Sequence, residues 1–249
     1  MKPAKLSIFL IGSLMLLAAF SPALVLADPA MTPITHIEHS TSSNWSGYAV
    51  TAPTGSVTDV DGAWTVPTVE SSGSTNAWSS FWVGIDGYSS NTVEQIGTDS
   101  DWQNGKAVYY AWYEFYPKPA FLIKSVPINP GDIISAKAQY TGNKFTVTIT
   151  DTTTGKTFST TAKVQRAQRT SAEWIVEAPW SGGVLPLANF GTVYFSGCYA
   201  AINGATGSIS SFSYDAITMT TSSYVIKAQP STLDHTGTSF SITWKSAGP

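Results

Sequence analysis

The sequence predicts an all-β fold, a sandwich or a barrel built from short strands. Short runs along the chain alternate apolar and polar side chains, which is the pattern of half-buried strands. Clusters of Gly, Asn, Asp, Ser and Pro separate these runs, as expected of tight turns. No segment after the first 27 residues shows the sustained periodicity of a helix. Many short strands at this spacing are typical of β-sandwiches and barrels.

The individual strands follow from this alternation, taken in chain order. Turn signals such as Asp86-Gly87, Asn129-Pro130-Gly131-Asp132 and Thr154-Gly155 fall between them. The runs on either side of Thr154-Gly155 are predicted to pair as a hairpin. The predicted strands are residues 48–50, 63–66, 80–85, 107–116, 133–140, 144–150, 157–164, 173–177, 193–195, 216–220 and 239–244.

The N-terminus has the composition of a secretory signal. Lys2 and Lys5 precede an apolar run, residues 6–20, and Val25-Leu26-Ala27 fits a small-residue cleavage site. The apolar run is short for a membrane span. Residues 1–27 are therefore predicted to be a signal peptide, whose removal leaves a secreted, extracellular protein with no membrane association.

Two further regions follow the signal. Residues 28–42 are polar, contain Pro29 and Pro33, and are predicted to be a tail or a short propeptide. Residues 43–249 carry the strand pattern throughout, with no internal repeat and no interdomain linker. They are predicted to form one domain that acts as a monomer.

Charged residues are scarce in this chain. They make up 12% of the sequence, against roughly 25% in an average globular protein. A surface of Ser, Thr, Asn, Gln and Gly changes its charge little as the pH falls, which limits acid unfolding by self-repulsion. The composition thus favours an acidic environment, and the formal net charge of -3 argues against a nucleic acid partner.

The inventory of reactive residues excludes most catalytic schemes. The single cysteine, Cys198, rules out an intramolecular disulfide and is predicted to be a small buried apolar side chain. The three histidines are His36 and His39 in the polar segment and His235 near the C-terminus. No G-x-S-x-G, HExxH, Cys/His cluster or phosphate-binding Gly loop accompanies them, so no metal or other cofactor is expected. Carboxylates, amides and aromatic rings remain.

Two acids share one face of the strand predicted at residues 173–177. Glu173, Ile175 and Glu177 point the same way, because side chains two apart in a strand lie on one face. In a chain with so few charges, this face is either solvated or the lining of a catalytic cleft. The spacing alone leaves both interpretations open.

Another carboxylate stands among aromatic residues. On the strand at residues 107–116, Tyr110, Trp112 and Glu114 share a face. Desolvation by the rings is expected to raise the pKa of Glu114, which favours a functional role. Trp82 and Asp86 form a similar set.

Several other acids and an amide follow in the same part of the chain. Gln95, Asp99 and Asp101 lie between the strands at residues 80–85 and 107–116. For Asp101, and for Asp132 further on, the capping of a turn is the favoured interpretation.

Six segments, read in order, carry a family resemblance. They are residues 43–47 (SNWSG), 63–67 (AWTVP), 82–87 (WVGIDG), 94–97 (EQIG), 111–117 (AWYEFYP) and 172–177 (AEWIVE). In this order and spacing they resemble the glutamic peptidases, also called eqolisins or peptidase family G1. One segment alone would be a weak signal, but six in order are specific. The resemblance covers most of the chain from Ser43 to about Trp244.

The resemblance implies a fold, an activity and a catalytic pair. The fold is a concanavalin-like jelly roll of two antiparallel sheets, with the active-site cleft on the concave face. The activity is pepstatin-insensitive endopeptidase cleavage of polypeptides at acid pH, without a cofactor. By motif position the family's glutamine is Gln95 and its glutamate is Glu177. Glu173 is the fallback, because it shares the face of Glu177.

The resemblance also implies supporting residues in the cleft. By motif position, those expected to contact the substrate are Trp82, Asp86, Asp99, Trp112 and Glu114.

This chain departs from the family pattern in three places. The disulfides of fungal relatives have no counterpart here, and the polar segment at residues 28–42 is short for a propeptide. An acid that precedes the Ala-Trp-Tyr-Glu motif in a fungal relative is Tyr110 in this chain, which changes the local proton network.

Two other functions use the same residue types. A glycoside hydrolase on this sandwich would pair carboxylates such as Glu114 and Glu177 beside Trp platforms. A carbohydrate-binding module would need only exposed Trp rows, with the acids incidental. Both remain alternatives to the peptidase.

Overall fold

The computed structural model describes residues 35–248, which fold as two layers of β-strands packed face to face. The predicted signal peptide, residues 1–27, lies outside the described residues, as do residues 28–34 and 249. One turn of 3-10 helix, Ile209–Ser211, interrupts the strands. The strands are β1 (Ile37–Ser42), β2 (Trp45–Thr51), β3 (Val57–Thr65), β4 (Asn76–Ala77), β5 (Ser80–Ile85), β6 (Val93–Gln103), β7 (Lys106–Tyr116), β8 (Phe121–Ile123), β9 (Ile133–Thr141), β10 (Lys144–Asp151), β11 (Lys156–Ala162), β12 (Ser171–Glu177), β13 (Thr192–Ile202), β14 (Ala205–Ser208), β15 (Tyr214–Thr220), β16 (Ile226–Pro230) and β17 (Phe240–Trp244).

The strand pairings divide the chain into two layers. The first layer has the order β1-β15-β2-β12-β5-β6-β7-β8, antiparallel except between β1 and β15. The second has the order β16-β17-β13-β3-β9-β10-β11, antiparallel throughout. Strand β15 also pairs with β16 and so joins the layers. Strands β4 and β14 are short additions to β6 and β13.

The main core lies between the two layers. On β12, Ala172, Trp174 and Val176 point into it, and on the neighbouring β5, Phe81 and Val83 do the same. Fully burying side chains of this size contributes on the order of 1.5–3 kcal/mol each. Strands β5 and β12 are nonetheless buried on both faces almost throughout. Their second face must therefore also be covered, although it does not face the second layer.

The predicted all-β fold of two antiparallel layers is confirmed. Every predicted strand overlaps an observed one, and the predicted hairpin forms between β10 and β11. Cys198 is free and fully buried in the core, as predicted. Among the strands that the sequence did not predict, β6 matters most because it carries Gln95 and Asp99.

Part of the segment predicted to be a polar tail is a strand instead. Residues 37–42 form β1, which lies parallel to β15 at the edge of the first layer. Its residues are largely exposed, so a polar composition suits this edge position. The Ser40 hydroxyl donates a hydrogen bond to Asp215 on β15. The structure thus extends the sheet to before Ser43.

No helix within residues 35–248 has the length and apolarity needed to cross a membrane.

Candidate active site

A cavity of about 1070 Å³ opens on the outer face of the first layer. The strand register arranges the outward side chains of β12, β5, β6 and β7 in three rows, since paired residues of neighbouring strands lie side by side. Between them the rows bring together acids, an amide and aromatic rings. The rows are Glu177–Ser80–Asp99–Tyr110, Ile175–Trp82–Gly97–Trp112 and Glu173–Gly84–Gln95–Glu114.

Glu177 is half-buried at the cavity, with both carboxyl oxygens held by N–H donors. Asn44 Nδ2 donates to Oε1 at 3.2 Å, and Trp82 Nε1 donates to Oε2 at 3.0 Å. Burial raises the pKa of Glu177 to about 7, and the charge of Glu114 acts in the same direction. The Trp82, Trp45 and Asn44 donors oppose this rise. Their N–H groups fix the direction of the carboxyl group.

Gln95 and Glu114 form a hydrogen-bonded pair across β6 and β7. They are direct cross-strand neighbours, and Gln95 Nε2 donates to Glu114 Oε2 at 2.6 Å. An amide nitrogen carries two hydrogens, so one N–H of Gln95 remains for another acceptor. Burial raises the pKa of Glu114, as expected for a carboxyl among rings.

Gly97 allows Trp82 to lie close against β6. A Cβ at Gly97 would stand 2.2 Å from the Phe81 carbonyl oxygen and 2.7 Å from Trp82 Cβ. The Trp82 ring therefore packs over this position, and Trp45 contacts it edge-on with ring centroids 5.0 Å apart. Only glycine leaves room for this arrangement, which aims the Trp82 N–H at Glu177.

Tyr110 bridges two carboxyl groups of β6. Its hydroxyl lies 2.8 Å from Asp99 Oδ2 and 2.9 Å from Asp101 Oδ2. A phenol has a single hydrogen, so two hydrogen bonds require a proton on at least one carboxyl. Burial raises the pKa of both aspartates, which favours that proton. Asp99 also accepts a hydrogen bond from Trp112 Nε1.

The two acids interpreted as turn caps differ in position. Asp132 accepts the Asn129 backbone N–H at 2.7 Å, as expected of a cap. Asp101 accepts the Ser79 backbone N–H at 3.2 Å but lies within β6 rather than in a turn.

The structure separates the two glutamates of β12. Glu177 lines the cavity, whereas Glu173 is fully buried and is absent from the lining. The backbone of Tyr88 lies against the Glu173 carboxyl, since the loop that follows β5 passes over it. Of these two residues, only Glu177 is open to the cavity.

Five of the seven expected site residues line the cavity, and two do not. Trp82 is fully buried and acts through its hydrogen bond to Glu177, instead of presenting its ring to a substrate. Asp86 is fully buried and absent from the cavity lining, so it does not stand where it was expected to contact a substrate. The five that line the cavity are Gln95, Asp99, Trp112, Glu114 and Glu177.

Asp86 holds the segment before β12. Its carboxyl oxygens accept the backbone N–H groups of Gln168 at 2.8 Å, Arg169 at 2.7 Å and Thr170 at 2.9 Å. Asp86 itself has a left-handed φ of 68°, which Asp and Asn tolerate better than other side chains. It thereby fixes how β12 enters the sheet.

Replacing Asp86 by alanine is expected to lower the free energy of unfolding by about 3 kcal/mol, because three backbone donors lose their acceptor. Asp86→Asn keeps one acceptor oxygen and the tolerance for positive φ, so its loss is expected to be smaller. Urea unfolding of both variants measures the difference. Equal stability of Asp86→Ala and the wild type would contradict this role.

Many residues at the cavity were not expected from the sequence, and three of them bear on its chemistry. Asn44 lies within the Ser-Asn-Trp-Ser-Gly segment, but nothing in the pattern showed that it reaches Glu177. Leu122 and Trp180 also line the cavity, and both are well exposed. A large apolar side chain beside polar turn residues was the available signal for Trp180.

Comparison with known proteins identifies the family of this chain. The sequence model described as Peptidase A4 family matches residues 43–243. Aspergillopepsin-2 of Aspergillus niger is 36% identical over 190 residues, covering 66% of this chain and 66% of that protein. Scytalidopepsin B of Scytalidium lignicola is 34% identical over 145 residues, covering 56% of this chain and 53% of that protein. The matched region thus spans between about half and two thirds of these curated relatives.

A solved structure shares the fold. The crystal structure of scytalido-glutamic peptidase with a transition state analog inhibitor superposes with a TM-score of 0.70 at 25% identity, covering 82% of this chain and 99% of that one. The chain therefore belongs to the Peptidase A4 family, the glutamic peptidases.

Proposed function

We propose that this protein is a secreted acid endopeptidase that hydrolyses polypeptides with the pair Gln95 and Glu177. One observation carries the proposal: the Glu177 carboxyl stands at a large cavity, oriented by Asn44 and Trp82, on the sheet face that also presents Gln95. Family membership supports peptide hydrolysis as the chemistry.

The proposed reaction adds water to the peptide carbonyl. Glu177 takes a proton from the water while the water oxygen attacks the carbonyl carbon. The unused N–H of Gln95 donates to the oxyanion that forms, and such a donor commonly lowers the barrier by ~3 kcal/mol. Glu177 then returns the proton to the leaving nitrogen as the C–N bond breaks. The products are a carboxylic acid and an amine.

Glu114 links this reaction to acid pH. Its charge raises the pKa of Glu177, so protonating Glu114 favours the carboxylate form of Glu177 that activates water. Burial raises the pKa of Glu114 itself, which keeps it protonated further above its usual range. Acid thus removes the Glu114 charge, one of the two causes that raise the pKa of Glu177, while burial, the larger cause, remains; the base is the fraction of Glu177 that is ionised.

The decisive experiment is digestion of a denatured protein at pH 3 to 4 by the purified, exported chain. We expect cleavage that pepstatin does not inhibit. Release of reducing sugar from a polysaccharide without proteolysis would favour a glycoside hydrolase, and polysaccharide binding without turnover a binding module. Mass spectrometry of the exported protein tests removal of residues 1–27, and its sedimentation tests the proposed monomer.

Gln95→Ala is expected to lower kcat about 10²–10³-fold, since one oxyanion donor is lost. Gln95→Glu is also expected to be impaired, because a carboxylate would repel the oxyanion. Gln139→Ala, an exposed glutamine of the second layer, is the matched control and should keep kcat. Full activity in Gln95→Glu would remove the amide from the mechanism.

A further inference from the structure

Trp180 is a large apolar side chain left exposed beside the catalytic carboxyl. It is 67% exposed and lines the cavity, three positions after Glu177 along the chain. Its backbone is held in a closed turn by a bridge to Val184 and by the Leu185 N–H, which donates to the Pro179 carbonyl at 2.9 Å. The ring is thus presented on a defined backbone, where an apolar ligand can cover it.

The cavity offers a substrate little charge in acid. Among the described residues that line it, the ionisable side chains are carboxyls and phenols, with no Lys, Arg or His. Burial raises the pKa of each carboxyl, Asp99, Glu114 and Glu177. With Asp99 and Glu114 protonated, apolar contact, hydrogen bonds and shape, rather than charge, distinguish one polypeptide segment from another.

A second exposed apolar group stands on the opposite wall. Leu122 is 61% exposed and lies on β8, four strands from β12 across the sheet. At roughly 4.8 Å per strand spacing this is ~19 Å along the curved sheet, the length of about six extended residues. Trp180 follows β12 in the chain, so Leu122 and Trp180 lie at opposite ends of this row of strands and can contact different residues of one bound segment.

We propose that Trp180 is a specificity-determining residue, whose ring forms one wall of a subsite for a large apolar side chain of the substrate. The occupant is an aromatic or long aliphatic residue of an extended polypeptide, close to the bond that is cleaved. Trp180 lies three residues after Glu177 in the chain, and this short separation keeps its ring near the bond that is cleaved. The inference rests on the proposed peptidase function and adds the substrate class to it.

The test maps cleavage sites in a denatured protein mixture by mass spectrometry at pH 4. The wild type is expected to enrich large apolar residues at one position next to the cleaved bond, and Trp180→Ala to lose that enrichment. For two peptides that differ only at this position, Leu against Ala, Trp180→Ala should lower kcat/KM of the Leu peptide about tenfold and barely change the Ala peptide. Trp180→Phe should restore part of the preference.

Tyr194→Ala is the matched control. Tyr194 is equally exposed at 67% but lies on β13 in the second layer, outside the cavity. It should leave both peptides unchanged. A Trp180→Ala enzyme that cleaves with the wild-type preference overturns this inference alone. A wild type that cleaves no protein overturns the proposed function, and this inference with it.

Discussion

Glu177→Gln is expected to lose peptidase activity, whereas Glu173→Gln is expected to keep it. Both substitutions remove one ionisable carboxyl at nearly constant shape, and both residues lie on the same face of β12. Only Glu177 reaches the cavity, so only its amide variant lacks the group that moves the proton. General acid and base catalysis is commonly worth about 10²–10⁴-fold, and kcat of Glu177→Gln should fall by that amount.

Steady-state kinetics on one peptide substrate measures both variants. The loss in Glu177→Gln should lie in kcat, with KM nearly unchanged, because the carboxyl acts on water instead of holding the substrate. Near-ultraviolet circular dichroism checks that each variant is folded. An inactive Glu173→Gln beside an active Glu177→Gln would move the base to Glu173.

The sequence identified the strand of these glutamates because it alternates clearly. Ala172, Trp174 and Val176 enter the core, and the acids take the other face, as the two-residue period requires. What the period could not show is that a loop passes over Glu173 and leaves Glu177 open. That difference arises from tertiary contact with Tyr88, not from the strand itself.

Strand β6 shows where strand prediction fails. Its residues Val93–Gln103 include two aspartates, a glutamate and a glycine, which are rare in strands. The strand is stable here because β5 and β7 pair with it on both sides and because its acids find partners such as Tyr110. Motif order located Gln95 and Asp99, but only the register places them beside Glu114 and Tyr110.

Asp86 and Trp82 show that a motif can locate a residue near the site without revealing what its side chain does. Asp86 binds backbone N–H groups more than 80 residues later in the chain, and nothing local reveals this. Trp82 was expected to contact the substrate, but its ring packs against Trp45 and is fully buried. The order of the motifs therefore located residues at or near the cavity, but it did not show what each side chain does there.

The stability of the protein is expected to fall as the pH rises from acid to neutral, and Glu94→Gln or Glu173→Gln should reduce that fall. Both glutamates are fully buried, and within residues 35–248 neither forms an ion pair; the nearby donors, Thr92 for Glu94 and Ser171 with the Tyr88 backbone for Glu173, only partly oppose the rise of the pKa. An unpaired buried carboxylate is costly, so folding favours the protonated form.

The direction of this change in stability with pH follows from the pKa shifts of the two glutamates. Burial, with the charge of Asp86, raises the pKa of Glu94 from 4.5 to about 9. Burial, with the charges of Asp86 and Glu94, raises the pKa of Glu173 well above its ordinary value. The folded state thus keeps protons that the unfolded state releases above pH 4.5. With a folded-state pKa of about 9, Glu94 can lower the free energy of unfolding by about 1.4 kcal/mol per pH unit above pH 4.5, or roughly 3 kcal/mol by pH 7, and Glu173 acts in the same direction.

Urea unfolding at pH 3, 5 and 7 measures this dependence. At pH 7 each glutamine variant is expected to be more stable than the wild type, and at pH 3 nearly equal to it, because the glutamates are then neutral. Glu70→Gln, the same change at an exposed position, is the control and should alter neither value. Wild-type stability that is equal at pH 3 and pH 7 would contradict the argument.

A loss of stability between acid and neutral pH would restrict the activity to acid for a reason that lies outside the cavity. The pKa of Glu177, about 7, would by itself let the base ionise further as the pH rises towards neutral. The buried pair Glu94 and Glu173 acts in the opposite direction, because the scaffold around the site weakens over the same range. A Glu94→Gln, Glu173→Gln double variant should then stay folded at neutral pH. Its pH–activity profile should extend above that of the wild type, while the profile in acid stays the same.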